Sequence, residues 1–209
     1  MTITQAQTAA WIQSYARAVN ENVDQLNKLD AAIGDGDFGA SIQRGLQSAT
    51  ELLPTLSEED IGTMLSKIGM KMMTVMGGTS GPLMGTLYIK MGSKAQGKME
   101  LSALEFGDAF RTGVEGVMQL GKAQVGDKTM IDAYAPAAEA LVTALNEQTP
   151  FPIAVAQATA AAKAGYENTA KIVARKGRAS YIGERGLGAI DPGAYAGYML
   201  LKSLSDVLL

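Results

Sequence analysis

The chain contains no cysteine and no histidine. Without thiols, disulfide bonds, thiolate nucleophiles and zinc–cysteine sites are all excluded. Without imidazole, the commonest general base near neutral pH and the commonest transition-metal ligand are absent too. Any chemistry must be carried by carboxylates, lysines, arginines, hydroxyls and backbone groups. Aromatic residues are also scarce, at 6% of 209 positions against 47% hydrophobic residues overall, so a core has to be built from Ala, Leu, Ile, Val and Met. Alanine-rich, aromatic-poor chains usually form helical bundles. The net charge of −3 argues against a nucleic-acid-binding face. No apolar run reaches the ~18 residues of a membrane span, and no basic-then-apolar leader opens the chain. The expectation is a cytoplasmic protein with no membrane partner, folded as one domain over residues 1–209.

What is present is helical periodicity from end to end. Ile12, Tyr15, Val19, Val23 and Leu26 step by three and four along a first helix. A second is predicted from Ala40 to Leu53, stopping before Pro54. Ser57 with Asp60 reads as a capping pair for a third, striped by Ile61, Leu65, Ile68 and Met72. Pro82 suits the first turn of a fourth, and Ser102 with Glu105 forms a capping box for a fifth. Thr129 and Asp132 start a sixth, Pro152 a seventh running on to Val173, and Asp191-Pro192 an eighth. No stretch shows strand-like alternation, so the fold class is all-α. Met70, Met72, Met73 and Met76 read as core filler.

The connections differ in kind. Those after helices two, four and six hold ordinary turn residues. Those after helices one, three, five and seven hold most of the loop glycines, several acids and a basic cluster: residues 34–39, 77–81, 121–128 and 175–190. In an antiparallel up-and-down bundle all odd-numbered connections emerge at one end. The chemically rich loops are therefore expected to share one rim and form one composite site.

The most informative segment is Leu29-Asp30-Ala31-Ala32-Ile33-Gly34-Asp35-Gly36-Asp37-Phe38-Gly39. Asp30, Asp35 and Asp37 could converge if the glycines let the loop fold back. Three close carboxylates call for a cation, and oxygen ligands alone suit a hard ion such as Mg²⁺, which often bridges a few carboxylates to substrate phosphates. The same residues also suit ordinary caps and turns. The segment is not an EF-hand loop, which needs Glu at its twelfth position.

Gly77-Gly78-Thr79-Ser80-Gly81-Pro82 places a hydroxyl-bearing turn before a helix N-terminus, a ready phosphate cradle and equally a tight helix–helix turn. It lacks the Gly-Lys-Ser/Thr ending of a Walker loop. Gly121 to Met130 joins glycines and lysines to a helix start, which fits a solvated, capped loop as well as a ligand loop. Arg175-Lys176-Gly177-Arg178 offers cations that either cover a helix end or face a phosphate. The rest of that connection, to Ile190, is long for a bundle, as functional lids often are.

Taken together, Gly34-Asp35-Gly36-Asp37-Phe38-Gly39, Gly77-Gly78-Thr79-Ser80-Gly81-Pro82-Leu83, Gly126-Asp127-Lys128-Thr129-Met130 and Arg175-Lys176-Gly177-Arg178-Ala179-Ser180-Tyr181 resemble the nucleotide-binding L subunit of bacterial dihydroxyacetone kinases, over nearly the whole chain. The resemblance implies an eight-helix up-and-down barrel with the nucleotide at one rim. It implies two Mg²⁺ ions on Asp30, Asp35 and Asp37, and ADP or ATP held by Phe38, Gly39, Ala40, Ser41, Gly78, Thr79, Ser80, Gly121, Met130, Arg178, Asp191, Pro192 and Gly193. Arg178 is the implied source of charge stabilisation during phosphoryl transfer. In the phosphotransferase-system branch, a phosphohistidine-carrying M-type subunit rephosphorylates the bound ADP. The resulting ATP then phosphorylates dihydroxyacetone held on a histidine of a separate K-type subunit. A chain without histidine fits that division of labour.

The family usually has His where this chain has Phe38 and Ala189, and often Asn where it has Ser41. The carboxylates are intact, so metal and phosphate binding are still implied. The two lost imidazoles bear on nucleotide affinity or on the ketose, a tetrulose being the alternative. An ATP-exchanging kinase subunit and a nucleotide-sensing regulatory module are the rival readings.

Overall fold

A computed structural model describes residues 1–208. A short strand, β1 (Thr2–Thr4), leads into α1 (Gln5–Glu21) and α2 (Val23–Ala31). There follow α3 (Phe38–Leu52), α4 (Ile61–Val75) and α5 (Ser80–Ser93). A second strand, β2 (Glu100–Ser102), precedes α6 (Ala103–Gly121), α7 (Ile131–Asn146), α8 (Phe151–Asn168) and α9 (Pro192–Leu208).

Most starts and stops follow the local chemistry. Ser102 accepts from the Glu105 amide while the Glu105 side chain accepts from the Ser102 amide, the reciprocal box expected at this position. Thr4 and Gln7 form the same device at α1. Asp191 caps α9 by accepting from the Ala194 amide at 2.7 Å, with Pro192 as the first helical residue. At α4 the cap is Asp60, whose carboxylate takes the Thr63 amide at 2.9 Å; Ser57 lies back in the turn that follows the 3₁₀ segment Leu53–Leu56 and is not part of it.

Other expectations are corrected. The first helix breaks at Asn22, whose side chain turns back to donate to the Ala18 carbonyl at 2.8 Å. The seventh ends at Asn168 rather than Val173, because Thr169–Lys171 tightens into a 3₁₀ turn. Met72 and Met76 are buried, whereas Met70 and Met73 are exposed. The two strands were not foreseen either. They pair antiparallel, Ile3 opposite Leu101, and each ends in the Thr or Ser that caps the next helix.

The helices form a closed ring. α1 packs on α3, then α3, α4, α5, α6, α7, α8 and α9 each pack on the next, and α9 returns to α1. α2 extends the first wall, touching the same neighbours as α1, so the barrel has eight walls as expected. The closing seam is marked by Trp11, whose indole N–H donates to the Leu200 carbonyl at 2.9 Å. Leu, Ile, Met and Ala fill the interior, with Trp11, Phe106 and Phe151 meeting edge to face at the end far from the odd-numbered connections. Among the described residues no helix is long and apolar enough to cross a membrane.

Candidate functional site

All four glycine-rich connections meet at one end of the barrel, around a cleft of about 570 Å³. Residues from 30–38, 77–83, 117–131, 176–179 and 191–193 line it. The inference from odd-numbered loops is therefore realised in space.

At one side stand the acids. α2 delivers Asp30 in its last turn, and the chain then reverses through Gly36, at φ 79°, a left-handed conformation suited to glycine. The turn brings one carboxylate oxygen from each of Asp30, Asp35 and Asp37 within 4.8 Å of one another. Asp30 Oδ2 accepts from the Asp37 and Phe38 amides at 3.0 and 3.2 Å, which fixes its carboxylate. The Arg178 guanidinium, arriving from the far connection, is ion-paired with Asp35. A cationic group drawn onto the cluster is what three converging like charges demand. An all-oxygen donor set with no histidine or thiolate fits Mg²⁺, so Asp30, Asp35 and Asp37 could hold it.

The other side is apolar. Val117, Leu120 and Gly121 of α6, Pro82 and Leu83 of α5, and Met130 and Ile131 at the start of α7 form a slot suited to a flat ring. Between the two sides lies the Gly77–Ser80 turn, with Gly78 at φ 66°, feeding directly into the N-terminus of α5. The first amides of that helix have no carbonyl partner within it and present the positive end of its dipole.

The sequence-selected residues divide into two groups. Phe38, Gly78, Thr79, Ser80, Gly121, Met130, Arg178, Asp191, Pro192 and Gly193 line the cleft with the three aspartates. Gly39, Ala40 and Ser41 do not. The Gly39 α-carbon packs against the Val23 carbonyl, where an added Cβ would come within 2.4 Å. The Ala40 amide donates to Asn27 Oδ1 at 3.1 Å. Buried Ser41 accepts from the Gly77 amide at 3.2 Å, tying α3 to the Gly77–Ser80 turn. Ala189, in place of the family's histidine, packs on a small apolar cluster of Ile33, Ala174 and Ala179 beneath the long connection.

Three residues outside the implied ligand set organise the rim. Asn27, one turn before Asp30, holds the start of α3. Asp132 accepts from the Gly126 amide at 2.7 Å and the Thr129 amide at 2.8 Å, pinning the loop before α7. Lys128, read from the sequence as part of a solvated loop, is instead 1% exposed. Burial lowers its pKa, against a smaller upward pull from Asp191 and Asp132. The Asp191 carboxyl is pushed up to about 7, chiefly by burial; the Ala194 amide pulls it down, Asp132 raises it, Lys128 lowers it and Asp30 raises it.

A helical barrel with carboxylates, helix-start amides and an apolar slot at one rim defines a site for a metal-bound phosphorylated ligand. The DAK2 domain model matches residues 32–206, and the chain belongs to the DAK2-domain family. It is 36% identical to the ADP-binding subunit of the PEP-dependent dihydroxyacetone kinase of Escherichia coli, over 98% of each chain. It is 35% identical to the L-erythrulose 1-kinase of Mycolicibacterium smegmatis, covering 95% of this chain and 35% of that one. The dihydroxyacetone kinase of Citrobacter freundii, crystallised with AMP-PNP and Mg²⁺, superimposes with a TM-score of 0.75 at 29% identity, over 99% of this chain and 34% of that one.

Proposed function

We propose that the chain, a single L-type domain over residues 1–209, is the cytoplasmic ADP-binding subunit of a phosphoenolpyruvate-dependent dihydroxyacetone kinase. The observation that carries this reading is the convergence of Asp30, Asp35 and Asp37 at one side of a cleft whose other side is an apolar slot. The 36% identity with the E. coli ADP-binding subunit, over 98% of each chain, supports this reading.

In this reading Asp30, Asp35 and Asp37 hold two Mg²⁺ ions. Bound there, the metal neutralises phosphate charge. The α5 amides with Thr79 and Ser80 hold the phosphates, and Gly121 and Met130 border the adenine. Phe38 covers the phosphate side, and the α9 start at Asp191–Gly193 closes the floor. Arg178 leaves Asp35 for the transferring phosphoryl group, where its planar, permanently charged fork stabilises the developing charge. A phosphohistidine-carrying M-type partner supplies the phosphoryl group to ADP, and a K-type partner presents the ketose. The histidines those steps need lie on the partners, since this chain has none.

The deciding experiment is a thermal-melt series with ADP, with and without Mg²⁺, on wild type and Asp35→Asn. A ligand at about 100 times its Kd stabilises by roughly 2.7 kcal/mol, a shift of several degrees at this size. The expected result is a Mg²⁺-dependent shift that the variant abolishes. No shift in nucleotide-free wild type at millimolar ADP would sink the reading. Reconstitution with K- and M-type subunits then separates dihydroxyacetone from erythrulose, the substrate favoured by similarity to the erythrulose kinases.

A further inference from the structure

Nothing in the nucleotide reading uses Lys128, yet it is the one buried basic side chain among the described residues. Its ammonium faces the backbone carbonyls of Thr169 at 2.9 Å, Ile172 at 3.3 Å, Gly186 at 2.7 Å and Ala189 at 2.6 Å. An ammonium has three N–H bonds. Four oxygens around it therefore amount to a coordination shell rather than a set of one-to-one hydrogen bonds. Proteins dehydrate potassium with such groups of backbone carbonyls. Here the cation is tethered to the chain.

The four oxygens have a telling origin. Thr169 and Ile172 lie where the chain enters the long connection, and Gly186 and Ala189 lie where it leaves. Between them runs the part that carries Arg178 to Asp35. The Lys128 backbone is bent to deliver the side chain, with φ at 61°, a region that non-glycine residues adopt at a cost. Such a conformation persists only where its surroundings enforce it, and they do. Asp127 accepts from the Gln124 amide at 3.0 Å, and Asp132 clamps the amides of Gly126 and Thr129. The Arg175 amide donates to the Asp127 carbonyl at 3.1 Å, so the same loop also grips the connection from outside the shell.

We propose that Lys128 is a positioning residue acting as a built-in monovalent cation: its ammonium joins both ends of the segment from Thr169 to Ala189 and so fixes Arg178 over the aspartates. The consequence for ligand release rests on the nucleotide reading. The closure of the segment does not.

Lys128→Gly removes the ammonium, opens the carbonyl shell to small ions and suits the positive φ, so backbone strain does not confound it. Tryptic cleavage after Arg175, Lys176, Arg178 and Arg185, mapped by mass spectrometry without nucleotide, reads opening of the segment. In tetramethylammonium chloride, whose cation is too bulky for the shell, the variant should be cut roughly tenfold faster than wild type or more, from the lost charged hydrogen bonds. Potassium or ammonium chloride at equal ionic strength should restore slow cutting, while wild type responds to neither. Lys128→Met fills the space and should be cut fast in every salt.

Wild-type cutting of Lys128→Gly, or fast cutting that no small cation slows, overturns the proposal. If that variant does not fold, Lys128→Met decides: cutting at the wild-type rate overturns the proposal, and fast cutting in every salt upholds it. Release of a fluorescent ADP analogue with Mg²⁺, followed in parallel, should be faster in both variants and slowed by potassium in Lys128→Gly alone. Failure of wild type to bind the analogue would count against the nucleotide reading and leave the cleavage result standing.

Discussion

Replacing Gly165 with alanine puts a methyl group into the backbone of a neighbouring helix. A Cβ built there falls 1.9 Å from the Asp132 carbonyl oxygen and 2.9 Å from its carbon, where ordinary contact begins at 3.4 Å. The obstacle is main chain, so no rotamer change relieves it, and α7 and α8 would have to part by about 1.5 Å. A radial gap of ~0.5–1 Å already forfeits a quarter to a half of each dispersion contact. The buried residues along this contact, among them Ala133, Ala137, Ala158 and Ala162, would lose theirs together. Against that stands a helix-propensity gain of about 1 kcal/mol for Gly→Ala. The expected net cost is about 3–5 kcal/mol, a fall in Tm on the order of 10 °C at this size. Gly107→Ala is the matched control, because its added Cβ meets only the tip of Leu145, at 2.9 Å, which can rotate away. It should stay within about 1 kcal/mol of wild type. Thermal and urea melts followed by circular dichroism measure both. If Gly165→Ala melts beside Gly107→Ala, backbone contact between α7 and α8 is not what glycine serves there.

Two further outcomes follow from the rim. Asp191, with a folded pKa near 7 against about 3.9 for an ordinary aspartate, binds its proton more tightly in the folded protein than in the unfolded chain. The metal-free fold therefore loses stability as pH rises from about 4 to 7. Asp191→Asn keeps an oxygen for the Ala194 amide and removes the charge, so it should melt higher than wild type at pH 8, by on the order of 4 kcal/mol. At pH 4 the two should melt together; a gap independent of pH would refute the assignment. Ser41→Ala removes the acceptor of the Gly77 amide without touching the cleft wall. It should cost about 1 kcal/mol of stability and weaken Mg·ADP binding several-fold by calorimetry. An unchanged Kd would show that the Gly77–Ser80 turn needs no tether.

What the sequence by itself determined was local or cumulative. Helix period, the Ser102–Glu105 box and the Asp191-Pro192 start depend on neighbours within about one turn, so they can be read without knowing the fold. Placement of the glycine-rich loops on one rim needed only the count of helices and the antiparallel rule; the roles of Thr79, Gly121 and Arg178 within that rim came from the family resemblance. The tertiary structure alone decided the rest. The pairing of Ile3 with Leu101 joins segments nearly a hundred residues apart, each too short to show alternation. The family resemblance implied Ala40 and Ser41 as ligand contacts; only the fold shows that the Ala40 amide binds Asn27 and that Ser41 accepts from Gly77. Lys128 carries no local mark of burial; its environment is made by four carbonyls that lie forty and more residues further along. A backbone carbonyl is the same group in every residue, so where distant carbonyls converge is settled by the path of the folded chain and not by the identity of the side chains along it.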